Sequence, residues 1–394
     1  MTEVDRSGYG REGPRSDDRL TRVGPGTPAG ELLRRYWQPV AVASESSDSP
    51  DLAKPVRVLG EDLVLFRDGD GKFGLLDSRC CHRGTSLYYG RVEPAGIRCC
   101  YHGWLFDVAG RCLEQPCEPP ESTYRERVRQ PSYPCREYHG LVFAYLGPPA
   151  RTPAFPRFDI LEEGEGVVVA DGTSYGLGGG DVLACNWLQI FENVMDPFHV
   201  FVLHNAFSGQ QFTKALAVRP RVSWEATERG MRSIQDRDAE NGRVFRRITE
   251  VLLPNVRIVP SVGGDNASRA RHVGWVLPID DTRTRMYSLL RVDVEPGRGP
   301  VLPPRARHGG KLWAELTEEE HRRMPGDAEA MVSQGRITAR NREHLASSDR
   351  GVILVRQRIR EAIDAVERGE DPPGAARGAD HPMVTTSAGN LVLA

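Results

Sequence analysis

CCHRG at residues 80–84 and CCYHGW at residues 99–104 are the two stretches that decide how this sequence folds. Each offers one cysteine and one histidine: Cys80 with His82, and Cys99 with His102. Structural zinc sites usually take two cysteines from one loop and two histidines from the other. The mixed pairing therefore argues against zinc, which stays an alternative together with a chance grouping of apolar cysteines and core histidines.

One cysteine and one histidine from each loop is the pattern of a Rieske [2Fe–2S] centre, in which one iron binds both cysteines and the other both histidines. Gly84 and Gly103 follow the histidines, and a residue without a side chain lets backbone amides approach the bridging sulfides. We therefore expect a cluster held by these four ligands. Such a centre passes single electrons. A protein that only carries electrons would not need the long chain that follows the two loops.

The composition excludes several classes of protein. The 394 residues are 39% hydrophobic and 27% charged, with a formal net charge of −2, which argues against a nucleic-acid binder. No apolar run reaches the roughly 20 residues of a membrane helix. The polar N-terminus lacks the apolar segment of a secretory signal, so we expect a cytoplasmic protein. Eight cysteines are too few for a disulfide scaffold.

The order of strand-like and helix-like segments along the sequence predicts an α+β protein in three parts. Residues 1–36 form an N-terminal extension with a short helix, and residues 37–152 form the all-β Rieske domain, rich in short β-branched runs and turns. Residues 153–394 form a catalytic domain, an antiparallel sheet flanked by helices. An apolar helix is expected over 182–204, and the Gly/Pro/Ala-rich residues after about 370 are expected to be loose.

A second group of metal ligands lies in NWLQIFENVMDPFHVFVLH at residues 186–204. Asp196 and His199 are three residues apart and share one helix face. His199 and His204 are five apart, roughly 140° around a straight helix, so both reach one metal only if the helix is distorted. Pro197 disturbs the helix at this point. Two histidines and one carboxylate form the facial triad of non-haem Fe(II) oxygenases, whereas two core histidines are the alternative.

The third ligand must come from elsewhere in the chain. Asp327 is the preferred candidate because it opens a helix that could pack on the histidine segment. Asp349 comes second, with a helix N-cap as its alternative role, and Glu329 comes third. Asp196 is better suited to orient His199 or to bridge to a cluster histidine than to bind iron itself.

These motifs together resemble the α subunit of Rieske non-haem iron oxygenases, in particular the phthalate-dioxygenase and aromatic O-demethylase group. The opening LTRVGPGTPAGELLRRYWQPV and the late helix REHLASSDRGVILVRQRIR add to the resemblance. It implies the cluster and iron ligands given above, a homotrimer packed head to tail, and Asp196 as a bridge between metal centres of neighbouring subunits. Asn193 matches a polar residue near the iron. Cys81 and Cys100 stand where relatives often have proline, and a disulfide between them is the minority interpretation.

The resemblance also implies the reaction. Electrons from NAD(P)H reach the cluster through a separate reductase, with or without a ferredoxin, because the chain has no Gly-rich dinucleotide motif. Iron and O2 then serve to hydroxylate or O-demethylate a small aromatic compound, as a mono- or dioxygenase. The alternative function is a Rieske-type electron carrier or sensor with a non-catalytic second domain.

Three residues are predicted to bind the substrate. Phe191 and Phe201 lie beside the iron ligands and are candidates for an apolar pocket, although ordinary core positions explain them equally well. Arg246 and Arg247 are adjacent in RVFRRITEVLL, so one should face inward and the other outward. Arg247 is the candidate clamp for a carboxylate, and a surface or interface arginine is the alternative.

Overall fold

The structure is a computed structural model that describes residues 12–46, 51–173, 182–209, 211–301, 311, 313–375, 377–378 and 383–394. Two short helices open the described chain: α1 (Asp18–Thr21) and α2 (Pro28–Arg34). Proline stands at the first turn of α2, where its missing N–H costs nothing. Leu32 and Leu33 are fully buried, so this helix is docked on the rest of the protein.

An all-β module follows, as the sequence predicts. Its strands are β1 (Trp37–Val42), β2 (Lys54–Val58), β3 (Glu61–Arg67), β4 (Phe73–Asp77), β5 (Arg91–Glu93), β6 (Gly96–Arg98), β7 (Leu105–Phe106), β8 (Cys112–Glu114), β9 (Ser132–Tyr133), β10 (Cys135–Tyr138) and β11 (Leu141–Tyr145). They form three antiparallel sheets in the orders β1-β11-β10, β2-β3-β4-β9 and β5-β6-β7-β8. The two cysteine-histidine loops follow β4 and β6.

The second module is built on one large antiparallel sheet with the order β13-β20-β19-β17-β16-β15-β14. The strands of the second module are β12 (Arg157–Phe158), β13 (Val167–Asp171), β14 (Arg221–Ala226), β15 (Gly230–Asp238), β16 (Val244–Leu252), β17 (Val256–Ile258), β18 (Ser268–Arg269), β19 (His272–Asp280), β20 (Arg283–Val292), β21 (Val294–Glu295), β22 (Gly299–Pro300), β23 (Met383–Val384) and β24 (Gly389–Leu393). Outside the large sheet, β12 pairs with β23 and β21 pairs with β22. The predicted α+β class, an all-β module and a sheet-rich module with helices, is confirmed.

Helices cover this sheet. They are α3 (Asp159–Glu162), α4 (Trp187–Asn193), α5 (Phe198–Phe201), α6 (Glu318–Arg323), α7 (Asp327–Val332) and α8 (Arg350–Glu367). A buried ion network joins them: Nε of Arg356 on α8 donates to Glu192 on α4 at 2.6 Å, and Nη1 of Arg340 donates to the same carboxylate at 3.0 Å. Because both guanidinium groups meet the buried carboxylate of Glu192, the network holds α4 against α8.

Two expectations about the second module were wrong. The predicted single helix over residues 182–204 is broken: α4 begins only at Trp187, after the side chain of Asn186 caps it by accepting from the N–H of Leu188. The break before α5 falls at Pro197, which cannot donate a backbone hydrogen bond. The tail expected to be loose contains β24, which pairs with β16 and β18, because these strands leave backbone groups unpaired at that edge.

Candidate metal centres

The two cysteine-histidine loops have the same backbone shape. The N–H of Cys80 donates to the carbonyl of Thr85 at 2.8 Å, and the N–H of Cys99 donates to that of Trp104 at 2.9 Å. In each loop a glycine N–H donates back to the cysteine carbonyl, from Gly84 at 2.8 Å and from Gly103 at 3.1 Å. These glycines have φ of 76° and 74°, a region that favours glycine. Both loops are therefore built to present a cysteine and a histidine.

The four predicted cluster ligands come together between these loops. The rings of His82 and His102 lie 4.6 Å apart, and Trp104 stacks on His82 at 4.3 Å. Cys80 and Cys99 are buried, and burial raises the pKa of the Cys80 thiol to about 12. A bound metal would favour the thiolate form of this cysteine, because the thiolate is the metal ligand.

The donor set fits an iron–sulfur group. Nδ1 of His102 is buried and has no hydrogen-bond partner among the residues that the structure describes, so it is available to a metal. All eight cysteines are free, including Cys81 and Cys100, which are exposed in the loops. The structure therefore contains no disulfide between these two neighbours of the ligand cysteines.

A second cluster of ligand atoms lies in the other module. His199, His204 and Asp327 each offer an atom within 4.8 Å of the others. Nε2 of His204 lies 3.2 Å and Nε2 of His199 lies 3.4 Å from Oδ1 of Asp327. The exposed side-chain fractions are 19% for His199, 4% for His204 and 15% for Asp327, so one side of the cluster stays open. Two histidines and one carboxylate with an open side fit a non-haem iron site.

A distortion of the helix brings the two histidines to one point. His199 lies on α5, and His204 lies in a π-helical segment, Val202–Phe207. A π-helix turns less per residue than an α-helix, which reduces the angle between positions five residues apart. The distortion expected from the sequence is therefore present, and the ring centroids of the two histidines lie 5.5 Å apart.

Other side chains hold the three candidate ligands in place. Nδ1 of His204 lies 2.8 Å from Oε1 of Gln211, so this nitrogen carries the proton and Nε2 points at Asp327. The amide of Asn193 donates to Oδ1 of Asp327 at 3.1 Å. Nδ1 of His199 faces Oδ2 of Asp196 at 3.7 Å, too long for a direct hydrogen bond.

The electrostatics favour an ionised carboxylate at Asp327. Burial opposes its ionisation, but hydrogen bonding with His204 and the charges of both histidines hold the pKa of Asp327 well below its usual range. Asp327 is the first residue of α7, where backbone N–H groups also favour a negative charge. The site therefore offers an ionised carboxylate beside two histidine rings.

The two other carboxylate candidates lie in different surroundings. The carboxylate of Glu329 accepts from the N–H of Gly326 at 2.7 Å and contacts Nδ1 of His321 at 2.6 Å, so it serves the start of α7. Asp349 precedes α8, and its carboxylate accepts from the N–H of Ala346 at 2.7 Å. Neither belongs to the cluster of ligand atoms among the described residues.

The predicted substrate residues lie at different depths. Arg247 is buried, whereas Arg246 pairs with Asp236 on the opposite face, so the predicted alternation is observed. Arg247 donates to the carbonyls of Ser261 and Pro260, both at 2.8 Å. Phe191 is fully buried against Trp187, and Phe201 is half-buried on α5.

Sequence reasoning missed several residues. Gln211 was not identified, although a polar residue soon after the histidine segment was a possible signal. The ring centroid of Phe212 lies 4.3 Å from that of His204, and its sequence position did not single it out from the other phenylalanines near the histidines. Arg237 and Arg257 are buried arginines of the sheet, and nothing in the sequence around them marks them as buried.

The fold and the two centres define a redox enzyme that delivers single electrons from an iron–sulfur cluster to a mononuclear iron. Comparisons agree with this class. A family model described as the Rieske [2Fe-2S] domain matches residues 36–134, and the vanillate O-demethylase oxygenase C-terminal domain matches residues 183–365. The chain belongs to the Rieske non-haem iron oxygenases, as a terminal oxygenase component of the α-subunit type.

The relatives are named for several different substrates. The chain is 47% identical over 381 residues to the phenoxybenzoate dioxygenase subunit alpha of Ectopseudomonas oleovorans, covering 95% of this chain and 91% of the relative. It is 38% identical to the tert-butanol monooxygenase / tert-amyl alcohol desaturase oxygenase subunit of Aquincola tertiaricarbonis, covering 91% and 78%. Dicamba monooxygenase bound to dicamba has the same fold, with a TM-score of 0.60, 17% identity and coverage of 86% and 100%.

As a member of this family, the protein has two cofactors, a Rieske [2Fe–2S] cluster and a mononuclear non-haem iron. As an oxygenase component, the protein receives electrons from a separate reductase or ferredoxin. In the part of the chain that the structure describes, no helix has the length and apolarity that crossing a bilayer requires.

Proposed function

We propose that this protein uses O2 and reductase-supplied electrons to hydroxylate or O-demethylate a small aromatic compound. The observation that carries the proposal is the convergence of two histidine nitrogens on one carboxylate oxygen at the end of a distorted helix. The similarity to a phenoxybenzoate dioxygenase subunit supports an aromatic substrate that carries a carboxylate. The similarity to a tert-butanol monooxygenase subunit makes an uncharged alcohol the rival substrate class.

We assign roles to the residues accordingly. Cys80, His82, Cys99 and His102 would hold the Rieske cluster. His199, His204 and Asp327 would hold the mononuclear iron. Asp196 would connect the two centres, Asn193 would orient Asp327, and Arg247, Phe191 and Phe201 would contact the substrate. The domain limits 37–152 and 153–394 stay predictions of the same kind.

When bound, the iron supplies O2 activation with electrons from the cluster. The chain's own residues prepare the site for it. Gln211 keeps the proton of His204 on Nδ1, which leaves Nε2 free to bind metal. Asn193 donates to Oδ1 of Asp327 and so limits the rotation of this carboxylate. The ring of Phe212 covers one face of His204 and excludes water from that side.

A head-to-tail homotrimer in the cytoplasm is part of the proposal. The surface around the cluster loops supports an interface because it exposes large aromatic side chains, with exposed fractions of 55% for Tyr101 in the second loop and 71% for Tyr89 just after the first. Aromatic residues are enriched at protein interfaces. The guanidinium of Arg83 lies 5.5 Å from the centre of the Tyr101 ring, which adds a cation to the same surface.

The test combines metal analysis with turnover. Anaerobically purified protein should contain about three irons per chain, show a Rieske EPR signal after reduction, and give a high-spin signal with NO. With NADH and a reductase, it should release formaldehyde from methoxyarenes or hydroxylated products from aryl carboxylates. A Rieske signal with only two irons, no NO adduct and no gain on adding Fe(II) would instead establish an electron carrier.

A further inference from the structure

One buried glutamine lies against the first cysteine-histidine loop. Gln130 stands two residues before β9, and its exposed fraction is 1%. Its Oε1 accepts from the N–H of Cys81 at 2.7 Å. Its Nε2 donates to the carbonyls of Asp77 at 2.9 Å and Arg79 at 2.8 Å. Only one orientation of the amide is consistent with these partners, because only Nε2 can donate to two carbonyls.

The backbone of Gln130 is itself held in place. Its N–H donates to the carbonyl of Gly110 at 2.8 Å, and the carbonyl of the next residue, Pro131, accepts from the N–H of Asp77 at 2.9 Å. Gly110 has φ of 73°, and a Cβ there would lie 2.0 Å from the carbonyl oxygen of Gln130, so only glycine allows this close approach. The glutamine side chain is therefore presented to the loop by a well-anchored segment.

The contact falls on the peptide group that follows Cys80. The carbonyl of Cys80 and the N–H of Cys81 belong to one planar peptide group. The carbonyl accepts from the N–H of Gly84 at 2.8 Å, and the N–H donates to Gln130. The N–H of Cys80 itself donates to the carbonyl of Thr85 at 2.8 Å. The backbone on both sides of this cysteine is therefore fixed, and so is the direction in which its side chain leaves the backbone.

The second loop has the same backbone shape without this additional contact. The N–H of Gly103 donates to the carbonyl of Cys99 at 3.1 Å, as in the first loop. For the N–H of Cys100, the counterpart of Cys81, the residues that the structure describes provide no side-chain acceptor. The amide of Gln130 is therefore an addition to the first loop, not a requirement of the loop shape.

The same contact gives Cys81 a role that does not involve its thiol. The side chain of Cys81 is exposed and free, whereas its backbone N–H is bound by Gln130. Proline, which relatives often have at this position, has no N–H and could not donate to the glutamine. A residue other than proline at position 81 and a glutamine at position 130 therefore belong together.

We propose that Gln130 is a positioning residue of the Rieske centre, which holds the peptide group between Cys80 and Cys81 and thereby sets the reduction potential of the cluster. The inference rests on the assignment of Cys80 as a cluster ligand under the proposed function. The potential of such clusters depends on hydrogen bonds to their sulfurs and on exposure to solvent. Backbone N–H groups held in position favour the reduced, more negative state, because they need not reorganise when the electron arrives. Releasing the loop should therefore lower the potential.

Redox titration of the iron-loaded, cluster-containing protein, followed by the EPR signal of the reduced cluster, tests the proposal. In Gln130→Leu, the ratio of reduced to oxidised cluster at a fixed ambient potential should fall by about 10-fold, which corresponds to about 59 mV for a one-electron couple. Cys81→Pro removes the other partner of the contact and should lower the potential similarly. The double variant should shift no further than Gln130→Leu alone, because the same contact is lost in both.

Two controls separate this role from a general effect on folding. Cys81→Ala retains the backbone N–H and should keep the wild-type potential. Gln38→Leu removes another buried glutamine, on β1, whose Nε2 donates to the carbonyl of Leu33 at 3.0 Å and whose Oε1 accepts from Nδ2 of Asn255 at 2.9 Å. It should lower the midpoint of thermal unfolding about as much as Gln130→Leu does, and leave the potential unchanged.

Several results would overturn the inference. These are a wild-type potential in Gln130→Leu or in Cys81→Pro, an equal shift in Cys81→Ala or Gln38→Leu, and additive shifts in the double variant. Loss of the cluster from both Gln130→Leu and Cys81→Pro would overturn it too, because the contact would then be needed to bind the cluster and not to set its potential. In each case the Rieske signal of the wild type would still support the proposed function, whereas its absence from the wild type would refute that function itself.

Discussion

Replacing Gln211 by leucine tests how the iron site is held together. Nδ1 of His204 lies 2.8 Å from Oε1 of this glutamine, and the N–H of Gln211 also donates to the carbonyl of His204 at 2.8 Å. The backbone contact fixes the position of residue 211 whatever its side chain is. Gln211→Leu therefore removes the acceptor for the imidazole proton and leaves the chain path and the volume nearly unchanged.

The expected magnitude follows from the role of such partners. Loss of a hydrogen bond that orients a metal-binding histidine typically costs 10- to 100-fold in metal affinity, or about 1.4 to 2.8 kcal/mol. His204 is almost fully buried, so water cannot easily replace the missing acceptor. We expect Gln211→Leu to release Fe(II) 10- to 100-fold more readily, with the Rieske cluster unaffected.

Competition with a chromogenic Fe(II) chelator measures the affinity, and the EPR signal of the reduced cluster reports on the other module. Gln211→Glu should restore iron binding because a carboxylate also accepts from Nδ1. Gln334→Leu, at an exposed glutamine after α7, is the control for adding an apolar side chain. Iron affinity equal to wild type in Gln211→Leu would refute the assignment of Nε2 of His204 as a metal ligand oriented by Gln211.

Three further predictions concern other residues. Asp327→Asn should abolish the NO signal and retain the cluster signal, whereas Asp349→Asn should retain both; loss of iron from the second variant alone would reverse the choice of ligand. Cys81→Ala should keep the Rieske EPR signal, because this cysteine is exposed and free; its loss would show that Cys81 is needed to bind the cluster. The Arg157 guanidinium, opposed by burial and assisted by Tyr138, lowers the pKa of Glu162 to about 2. Since the folded pKa lies below the unfolded value, this stability is present above about pH 4.3 and is lost as pH falls towards 2. The difference in unfolding free energy between wild type and Glu162→Gln should therefore shrink over that range in urea titrations, and a pH-independent difference would contradict it.

Local spacing explains why the metal-binding segments could be read from the sequence. Cys80 and His82 lie in one tight loop whose shape depends on a nearby glycine, so the pattern is complete within a few residues. The distortion between His199 and His204 also followed from a five-residue spacing that a straight helix cannot satisfy. Asp327 was harder to identify from the sequence, and it was preferred because it opens a helix.

A local helix break and long-range strand pairing explain where the predictions from the sequence were wrong. The helix expected over residues 182–204 was interrupted because Asn186 caps α4 late and Pro197 breaks the ladder. The tail joined the sheet as β24 because its partners, β16 and β18, lie far away in the chain. Local propensity contains no information about such partners.

The sequence by itself determined the class of the protein, because ligand types and their spacing within single loops or turns suffice to specify a metal centre. Only the tertiary structure decided which carboxylate joins the two histidines, and that Gln211 orients one of them. It also brought Arg237, Arg247 and Arg257 to one face of the sheet. The physical reason is that strand pairing sets which side chains meet, and it joins residues whose separation along the chain leaves no local signal.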